Sequence, residues 1–153
     1  SGTHTMRYHA HYHTSGMRHV YQQRYKSFPI QDDGHFFVVC RYVERNALRA
    51  NLVKRAEQWQ WSSLWRWMQK PEPEPKLLSP WPLPRLPKWV TRVNEPLTEN
   101  ELKAVRLSAN RGRPLGDEGW VESTARRLNL KSTMRPRGRP RVRPNTPKQN
   151  KEA

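Results

Sequence analysis

The chain has 153 residues, 34% of them hydrophobic, so it can enclose one modest core with extensions but hardly two full domains. Lys and Arg number 29 against 13 Asp and Glu, a formal net charge of +16 that favours a polyanionic partner. No apolar run approaches the roughly 20 residues of a membrane span, and the single cysteine excludes an internal disulfide framework and fits a reducing cytoplasm.

Histidines are concentrated in the first 30 residues, where His9, His11 and His13 alternate along the chain. In a strand these three side chains would share one face, which makes them candidate metal ligands. No cysteine or carboxylate lies nearby to complete a ligand set. We therefore favour a polar and aromatic surface that contacts nucleic acid.

Basic and aromatic residues interleave in the second half of this segment, with Arg24 and Lys26 on either side of Tyr25. Cations can bind phosphates while rings stack on exposed bases, so the mixture is typical of a surface for single-stranded nucleic acid. An edge strand whose rings pack against the following helix is the alternative interpretation.

A helix is predicted from Asp33 onward, because Phe36, Val39, Cys40 and Val43 fall at i, i+3, i+4 and i+7. Asp33 can cap its first turn. The four apolar side chains form one stripe, which predicts the buried face of this helix.

Tyr42 is the candidate nucleophile of this helix. At about 100° per residue it lies away from the apolar stripe, on the side that carries His35, Arg45 and Arg49. A phenol on the solvent-facing side, one turn from an arginine, is placed to attack a phosphate group. By its position, Tyr42 is therefore a candidate nucleophile, with the histidine and the two arginines as candidate phosphate-binding residues.

Two distinctive stretches follow the tyrosine helix. Four tryptophans lie close together in the first, at Trp59, Trp61, Trp65 and Trp67. They can form a stacking platform, although in a small domain such residues are more often core, and Ser62 is a good N-cap for a short helix there. Residues 71–97 are rich in proline, which predicts an extended linker that Trp81 and Trp89 can attach to the first domain.

A second helical unit is predicted after the linker. Thr98 and Glu101 form a capping-box pattern that opens a helix ending near Asn110. Another helix is predicted over residues 117–129, and a short turn can begin at Leu130. Short helices with basic edges resemble a helix-turn-helix unit, although amphipathic helix pairs are also common in other proteins.

The sequence Arg-Gly-Arg-Pro occurs twice, at residues 111–114 and 137–140. Glycine allows close approach of the backbone and proline holds the chain extended, as in AT-hooks that enter a narrow minor groove. The predicted DNA-binding arginines are Arg111, Arg113, Arg137, Arg139, Arg141 and Arg143. Residues 135–151 contain no acidic residue, so this tail is predicted to be disordered until it binds nucleic acid.

Three stretches resemble the REP-associated tyrosine transposases, bacterial relatives of the single-tyrosine HUH transposases. They are His19-Val-Tyr-Gln-Gln-Arg-Tyr-Lys-Ser-Phe, Cys40-Arg-Tyr-Val-Glu-Arg-Asn-Ala-Leu-Arg-Ala and Trp59-Gln-Trp-Ser-Ser-Leu-Trp. The two Arg-Gly-Arg-Pro stretches and Asp117-Glu-Gly-Trp are similar to the C-terminal extension of one branch of that family. The resemblance covers nearly the whole chain.

The resemblance implies an enzyme that cuts and rejoins single-stranded DNA beside hairpin-forming repeats, through a 5′-phosphotyrosine at Tyr42. It also implies a divalent metal, Mg²⁺ or Mn²⁺, held by a His-hydrophobic-His pair on a strand. His9 and His11 have the spacing of that motif but fall in the segment that follows the family's histidine pair. We therefore predict a C-terminal portion of such an enzyme, lacking the metal ligands and weakly active or inactive alone.

The predicted fold class is α+β. Residues 1–70 are predicted to form the remnant of a ferredoxin-like HUH domain, mainly its C-terminal helices with the tyrosine helix. The proline-rich linker 71–97, a helical DNA-binding-like extension at 98–134 and a basic disordered tail at 135–153 complete the chain.

Single-stranded or hairpin DNA is the predicted partner, a membrane is not, and a homodimer is left open. A cytoplasmic, nucleoid-associated location in a bacterium is expected. Two other functions fit the charge, namely a basic DNA-binding protein without catalysis and an RNA-binding or ribosome-associated protein. The residues around Tyr42 disfavour an RNA-binding or ribosome-associated protein, because binding RNA through charge alone requires no such helix.

Overall fold

The computed structural model describes residues 2–14, 26–71 and 73–135, which are mostly helical. These residues contain the helices α1 (Gly2–His11), α2 (Asp33–Glu44), α3 (Asn46–Arg49), α4 (Ser63–Met68), α5 (Trp89–Asn94), α6 (Glu99–Arg111), α7 (Glu118–Arg127) and α8 (Lys131–Met134). A 3₁₀ turn at Ala56–Gln58 lies between α3 and α4. The helical part of the predicted fold is confirmed, whereas β structure in the described part of the chain is limited to one parallel bridge, between Ile30 and Leu115.

The hydrophobic core lies between α2, α4, α5 and the 3₁₀ turn. Its buried residues are Ala56, Leu64, Trp89 and Val93. Phe37 of α2 packs against this cluster, with its ring centroid 5.8 Å from that of Trp89. Burial of each large apolar side chain contributes on the order of 2 kcal/mol, so a few such residues can hold short helices together.

The buried face of α2 is rotated by about one residue from the predicted apolar stripe. Val43 is 60% exposed, whereas Glu44 is only 3% exposed. Phe37, Cys40 and Glu44 share the inward face, as residues at i, i+3 and i+7 do in a helix. The prediction that Val43 is buried is therefore wrong, because the carboxylate of Glu44 finds polar partners inside the core.

The N-terminal cap of α2 is Asp32, one residue before the predicted Asp33. Its side-chain Oδ1 accepts a hydrogen bond of 2.9 Å from the backbone N–H of His35. Asp33 instead places a carboxylate in the first turn, where it interacts favourably with the positive end of the helix dipole.

Residues 71–97 differ from the extended linker that the prolines predict. Their C-terminal part contains α5, and Trp81 and Trp89 contact each other with ring centroids 5.2 Å apart. On the N-terminal side, Arg66 of α4 donates hydrogen bonds to the carbonyl of Pro73 at 2.7 Å and to that of Pro75 at 2.9 Å. Trp89 is buried in the core and Trp81 packs against it, so the prediction that the two tryptophans attach this segment to the preceding helices is confirmed.

Asn94, the last residue of α5, joins that helix to the 3₁₀ turn. Its side-chain oxygen accepts a 3.0 Å hydrogen bond from the backbone N–H of Ala56. Its Nδ2 group donates to Glu57 Oε2 at 2.8 Å. One amide side chain therefore uses both its donor and its acceptor to close the core on this side.

The C-terminal helices agree with the sequence prediction. Thr98 and Glu101 form the predicted capping box at the start of α6. This helix ends at Arg111 and is capped by Gly112, whose φ of 69° is the left-handed conformation that glycine adopts readily. After α7, the residue Asn129 has a φ of 57° and α8 begins two residues later.

The C-terminal unit is joined to the chain just before α2. The backbone N–H of Leu115 donates to the carbonyl of Pro29 at 2.8 Å, and that of Gln31 donates to the carbonyl of Leu115 at 3.0 Å. The side chain of Gln31 also accepts from the backbone N–H of Asp117 at 2.6 Å. Because Asp117 precedes α7, this glutamine satisfies one of the free N–H groups at that helix start.

Among residues 2–14, 26–71 and 73–135, no helix combines the length and the apolar character that crossing a membrane requires.

Candidate functional site

The candidate site is centred on Tyr42, which is half-buried on α2. The guanidinium carbon of Arg49 lies 4.4 Å from the centroid of its ring. α2 ends at Glu44, and the short helix α3 begins after the single residue Arg45. Arg49 is the last residue of α3, and its guanidinium lies over the ring. The predicted placement of a cation beside this tyrosine is therefore a cation–π contact in the structure.

Asn46 holds Arg49 in this position. Its Oδ1 accepts a 2.6 Å hydrogen bond from Arg49 Nη2. Among the residues that the structure describes, the hydroxyl of Tyr42 has no hydrogen-bond partner, whereas the other N–H groups of the guanidinium can still bind an anion. The pair therefore combines a phenolic oxygen with a positioned cation.

Arg45, a predicted phosphate-binding residue, contacts a helix end. Its Nε donates to the carbonyl of Glu95 at 3.0 Å. Arg41, one turn earlier, donates from Nε to the carbonyl of Arg92 at 3.0 Å. Both arginines bind carbonyls at the C-terminal end of α5, where such groups lack partners within the helix. The sequence analysis did not select Arg41, although it lies four residues before Arg45 and so shares its face.

His35, the third predicted supporting residue, belongs to the start of α2. Its Nδ1 lies 2.8 Å from Asp32 Oδ1. Hydrogen bonds from the backbone and then from the side chain of His35 lower the pKa of Asp32. Since a helix rises about 1.5 Å per residue, His35 lies about 10 Å from Tyr42 along the axis, too far for direct proton transfer.

Three of the remaining predicted DNA-binding residues lie in the described part of the chain. Lys26 is exposed, whereas Arg24 and the tail residues Arg137, Arg139, Arg141 and Arg143 lie outside the described residues. Arg111 and Arg113 are half-buried, and Arg111 Nη2 donates to the carbonyl of Arg135.

The first Arg-Gly-Arg-Pro stretch does not have the extended conformation that the sequence predicts. Arg111 is the last residue of α6, and Gly112 is its left-handed C-cap. Pro114 is fully buried. The stretch ends a helix and enters the packed interior. The prediction of an AT-hook conformation at residues 111–114 is therefore wrong. The second copy lies outside the described residues.

The histidine-rich start forms α1 and not the strand that alternating histidines would need. Residues i and i+2 point to nearly opposite sides of a helix, so His9 and His11 do not share a face. His9 Nδ1 lies 2.8 Å from Thr14 Oγ1. In the described residues no group of three or more His, Cys, Asp or Glu is arranged to hold a metal ion.

A buried polar cluster around Glu44 was not predicted. Glu44 accepts hydrogen bonds from Trp89 Nε1 at 2.7 Å and from Ser63 Oγ at 2.9 Å. Arg85 Nη1 lies 3.5 Å from Glu44 Oε1, an ion pair without hydrogen-bond geometry. Burial lowers the pKa of the Arg85 guanidinium, and the Glu44 carboxylate opposes that change.

Arg85 is enclosed between two indole rings. Its guanidinium carbon lies 3.8 Å from the ring centroid of Trp81 and 4.2 Å from that of Trp67. Stacking on both faces compensates for lost hydration of the cation. This cluster holds the C-terminal end of α2, and therefore the backbone that carries Tyr42. No local sequence pattern indicates the cluster around Glu44, because its members are separated by up to 45 residues.

Comparison of the chain with protein-family models, with curated proteins and with solved structures finds no match.

Proposed function

We propose that this chain binds single-stranded or hairpin DNA and that Tyr42 breaks and rejoins the DNA backbone, as in the REP-associated tyrosine transposases that it resembles. The observation that carries the proposal is the placement of the Arg49 guanidinium 4.4 Å from the ring centroid of Tyr42. The formal net charge of +16 supports a polyanionic substrate.

Arg49 can serve the reaction in two ways. Its N–H groups that are not bound to Asn46 can bind oxygens of the scissile phosphate and bring the phosphorus toward Tyr42. Its charge over the ring also stabilises the negative charge that develops as the phenol attacks. Asn46 acts as a positioning residue, because it restricts the guanidinium to this orientation.

In the proposed step, the Tyr42 oxygen forms a bond to phosphorus while the bond from phosphorus to the 3′ oxygen breaks. The phenol proton passes to water and the departing 3′ oxygen takes up a proton. The 5′ phosphate then remains joined to the protein. In the rejoining step a free 3′ hydroxyl attacks the same phosphorus, and the tyrosine regains a proton.

The divalent metal of the resembled family would polarise the scissile phosphate. The described residues do not fit such a site, because His9 and His11 lie on different sides of α1 and His9 is bonded to Thr14. No step is therefore assigned to a metal held by these residues, and the yield of strand cleavage by the chain alone is expected to be low.

The test is a covalent adduct. The full chain is incubated with a hairpin oligonucleotide carrying single-stranded flanks and Mg²⁺ or Mn²⁺, and the products are separated under denaturing conditions. A 3′ label should transfer to the protein, whereas a 5′ label should appear on a released fragment, because the tyrosine retains the 5′ phosphate. Tyr42→Phe should abolish the adduct, and Tyr8→Phe on α1 should not.

Variants of Arg49 test the supporting role. Arg49→Ala should slow adduct formation by about 100-fold, the usual effect of removing one donor that stabilises the transition state. Arg49→Lys should be intermediate, since lysine keeps the charge but not the planar stack. An adduct that persists in Tyr42→Phe would reject the tyrosine as the nucleophile.

A second function, DNA binding without catalysis, is favoured by the geometry of α7 and α8. Three residues join these helices, with Asn129 in the left-handed conformation. Arg126 and Arg127 are exposed at the end of α7, and Lys131 opens α8. Short helices joined in this way can contact a DNA duplex. Salt-sensitive DNA binding without any adduct, abolished when these three basic residues are replaced by alanine, would support this alternative.

A further inference from the structure

Three large apolar side chains are exposed together beside the tyrosine helix. Trp61 is 76% exposed, Leu52 is 62% exposed and Val43 is 60% exposed. All three line one groove of about 400 Å³, together with Ala47 and Trp59. Large apolar side chains that are both exposed and gathered in a concave place are typical of a binding site.

This groove adjoins the pair formed by Tyr42 and Arg49. Val43 directly follows Tyr42 on α2, and Asn46 lines the groove. The Oδ1 atom of Asn46 is the acceptor for Arg49 Nη2 at 2.6 Å. One side chain therefore separates the groove from the guanidinium that lies over the Tyr42 ring.

We propose that this groove binds an unpaired nucleobase next to the phosphate that Tyr42 attacks, an assignment that rests on the proposed function. A nucleobase is flat and can stack on the exposed indole of Trp61. Asn46 also lines the groove, and its side-chain amide can donate to the edge of a base. The phosphate attached to that base then lies toward Arg49.

Charge favours DNA over a second copy of this chain as the occupant. A chain with a formal net charge of +16 repels another copy of itself, whereas it attracts a nucleic acid strand. Base stacking on tryptophan also tolerates different sequences, because every base has an apolar face. The groove therefore recognises the base by its shape and by stacking, and Arg49 binds the attached phosphate.

Binding is measured separately from catalysis, in the Tyr42→Phe background, by fluorescence anisotropy of a labelled hairpin oligonucleotide with single-stranded flanks. Trp61→Ala should weaken binding by about ten-fold, as expected for the loss of one base–aromatic stack. Leu52→Ala should weaken it less, since it removes only a wall of the groove. Leu77→Ala is the control and should leave DNA affinity unchanged, because Leu77 is also an exposed large apolar residue but does not line the groove.

An abasic nucleotide, placed at each unpaired position in turn, identifies the base. At one position the abasic substitution should cost as much affinity as Trp61→Ala, and the two losses should not add. Unchanged affinity in Trp61→Ala, or losses that add at every position, would overturn the proposal. A change of oligomeric state in Trp61→Ala with unchanged DNA affinity would likewise overturn it, in favour of an interface between copies.

The two proposals fail differently. An adduct at Tyr42 together with unchanged DNA affinity in Trp61→Ala leaves the nucleophile in place and rejects the nucleobase groove. Coupling between Trp61 and one base without any adduct supports the groove as a binding site and rejects the catalytic role of Tyr42.

Discussion

The indole N–H of Trp89 donates a hydrogen bond of 2.7 Å to Glu44 Oε2 inside the core. The same carboxylate accepts from Ser63 and pairs with Arg85. It therefore joins the end of α2 to α4 and to the proline-rich segment. A charged residue that closes the core is also the element that fixes the helix carrying Tyr42.

Glu44→Ala is expected to lower the free energy of unfolding by about 3–5 kcal/mol, because Arg85 would be left buried without its partner. Urea denaturation followed by tryptophan fluorescence measures this change. Glu122→Ala removes an exposed carboxylate from α7 and should change stability by less than about 0.5 kcal/mol. Equal losses of stability in the two variants would contradict a structural role for Glu44.

Cys40 should react slowly in the folded protein. Burial raises the pKa of its thiol to about 11, Glu44 adds to the increase and Arg85 opposes it. Since the thiolate is the reactive form, alkylation by iodoacetamide at pH 8 should be about 100-fold slower than in the urea-unfolded chain. Mass spectrometry of the labelled protein measures both rates. Similar rates would contradict burial of the sulfur.

The same thiol should make stability depend on pH in alkaline solution. Its folded-state pKa of about 11 lies above the ordinary value of 9.0, so the folded protein binds this proton more tightly. The contribution of the Cys40 proton to the free energy of unfolding is complete below pH 9 and is lost as the pH rises toward 11. Comparison of denaturation curves with those of Cys40→Ala isolates it, because other groups titrate equally in both. Parallel pH profiles of the two proteins would reject it.

Two glycines provide a matched test of the junction before α7. A Cβ atom at Gly116 would lie 2.7 Å from Gln31 Cβ and 2.8 Å from Trp120 Cε3, whereas one at Gly119 would meet nothing within 4 Å. Gly116→Ala should therefore destabilise the protein by about 1–3 kcal/mol. Gly119→Ala, inside α7, should stabilise it by up to about 1 kcal/mol. Thermal denaturation should show opposite shifts, and shifts of the same sign would contradict this packing.

The tail beyond the described residues should contribute to DNA affinity through charge. Removing residues 136–153 should weaken binding to all sequences. It should also reduce the slope of log affinity against log salt by about 0.7 for each phosphate of single-stranded DNA that the tail neutralises. A tail of equal length with serine at every basic position is the control for length. An unchanged slope in both variants would mean that the tail does not bind phosphate.

Local signals allowed the sequence to determine most helix positions. A capping box joins residues three apart, so Thr98 and Glu101 were sufficient to locate the start of α6. Ser62 likewise caps α4, where its side chain accepts from the backbone N–H of Trp65 at 3.0 Å. The helical period also placed Tyr42 and Arg49 on the same side of the chain, although the exact stacking depends on the break at Arg45.

Tertiary structure decided which polar groups serve the fold. Periodicity assigned Val43 to the interior, but Glu44 is buried because Trp89 lies 45 residues away in sequence and yet donates to it. Arg45 was expected to bind phosphate, yet it donates to the carbonyl of Glu95, which is 50 residues distant. Capping and helical periodicity act within a few residues and are visible in the sequence. Partners of buried or helix-capping charges are brought together only by the folded chain, so the sequence alone could not identify them.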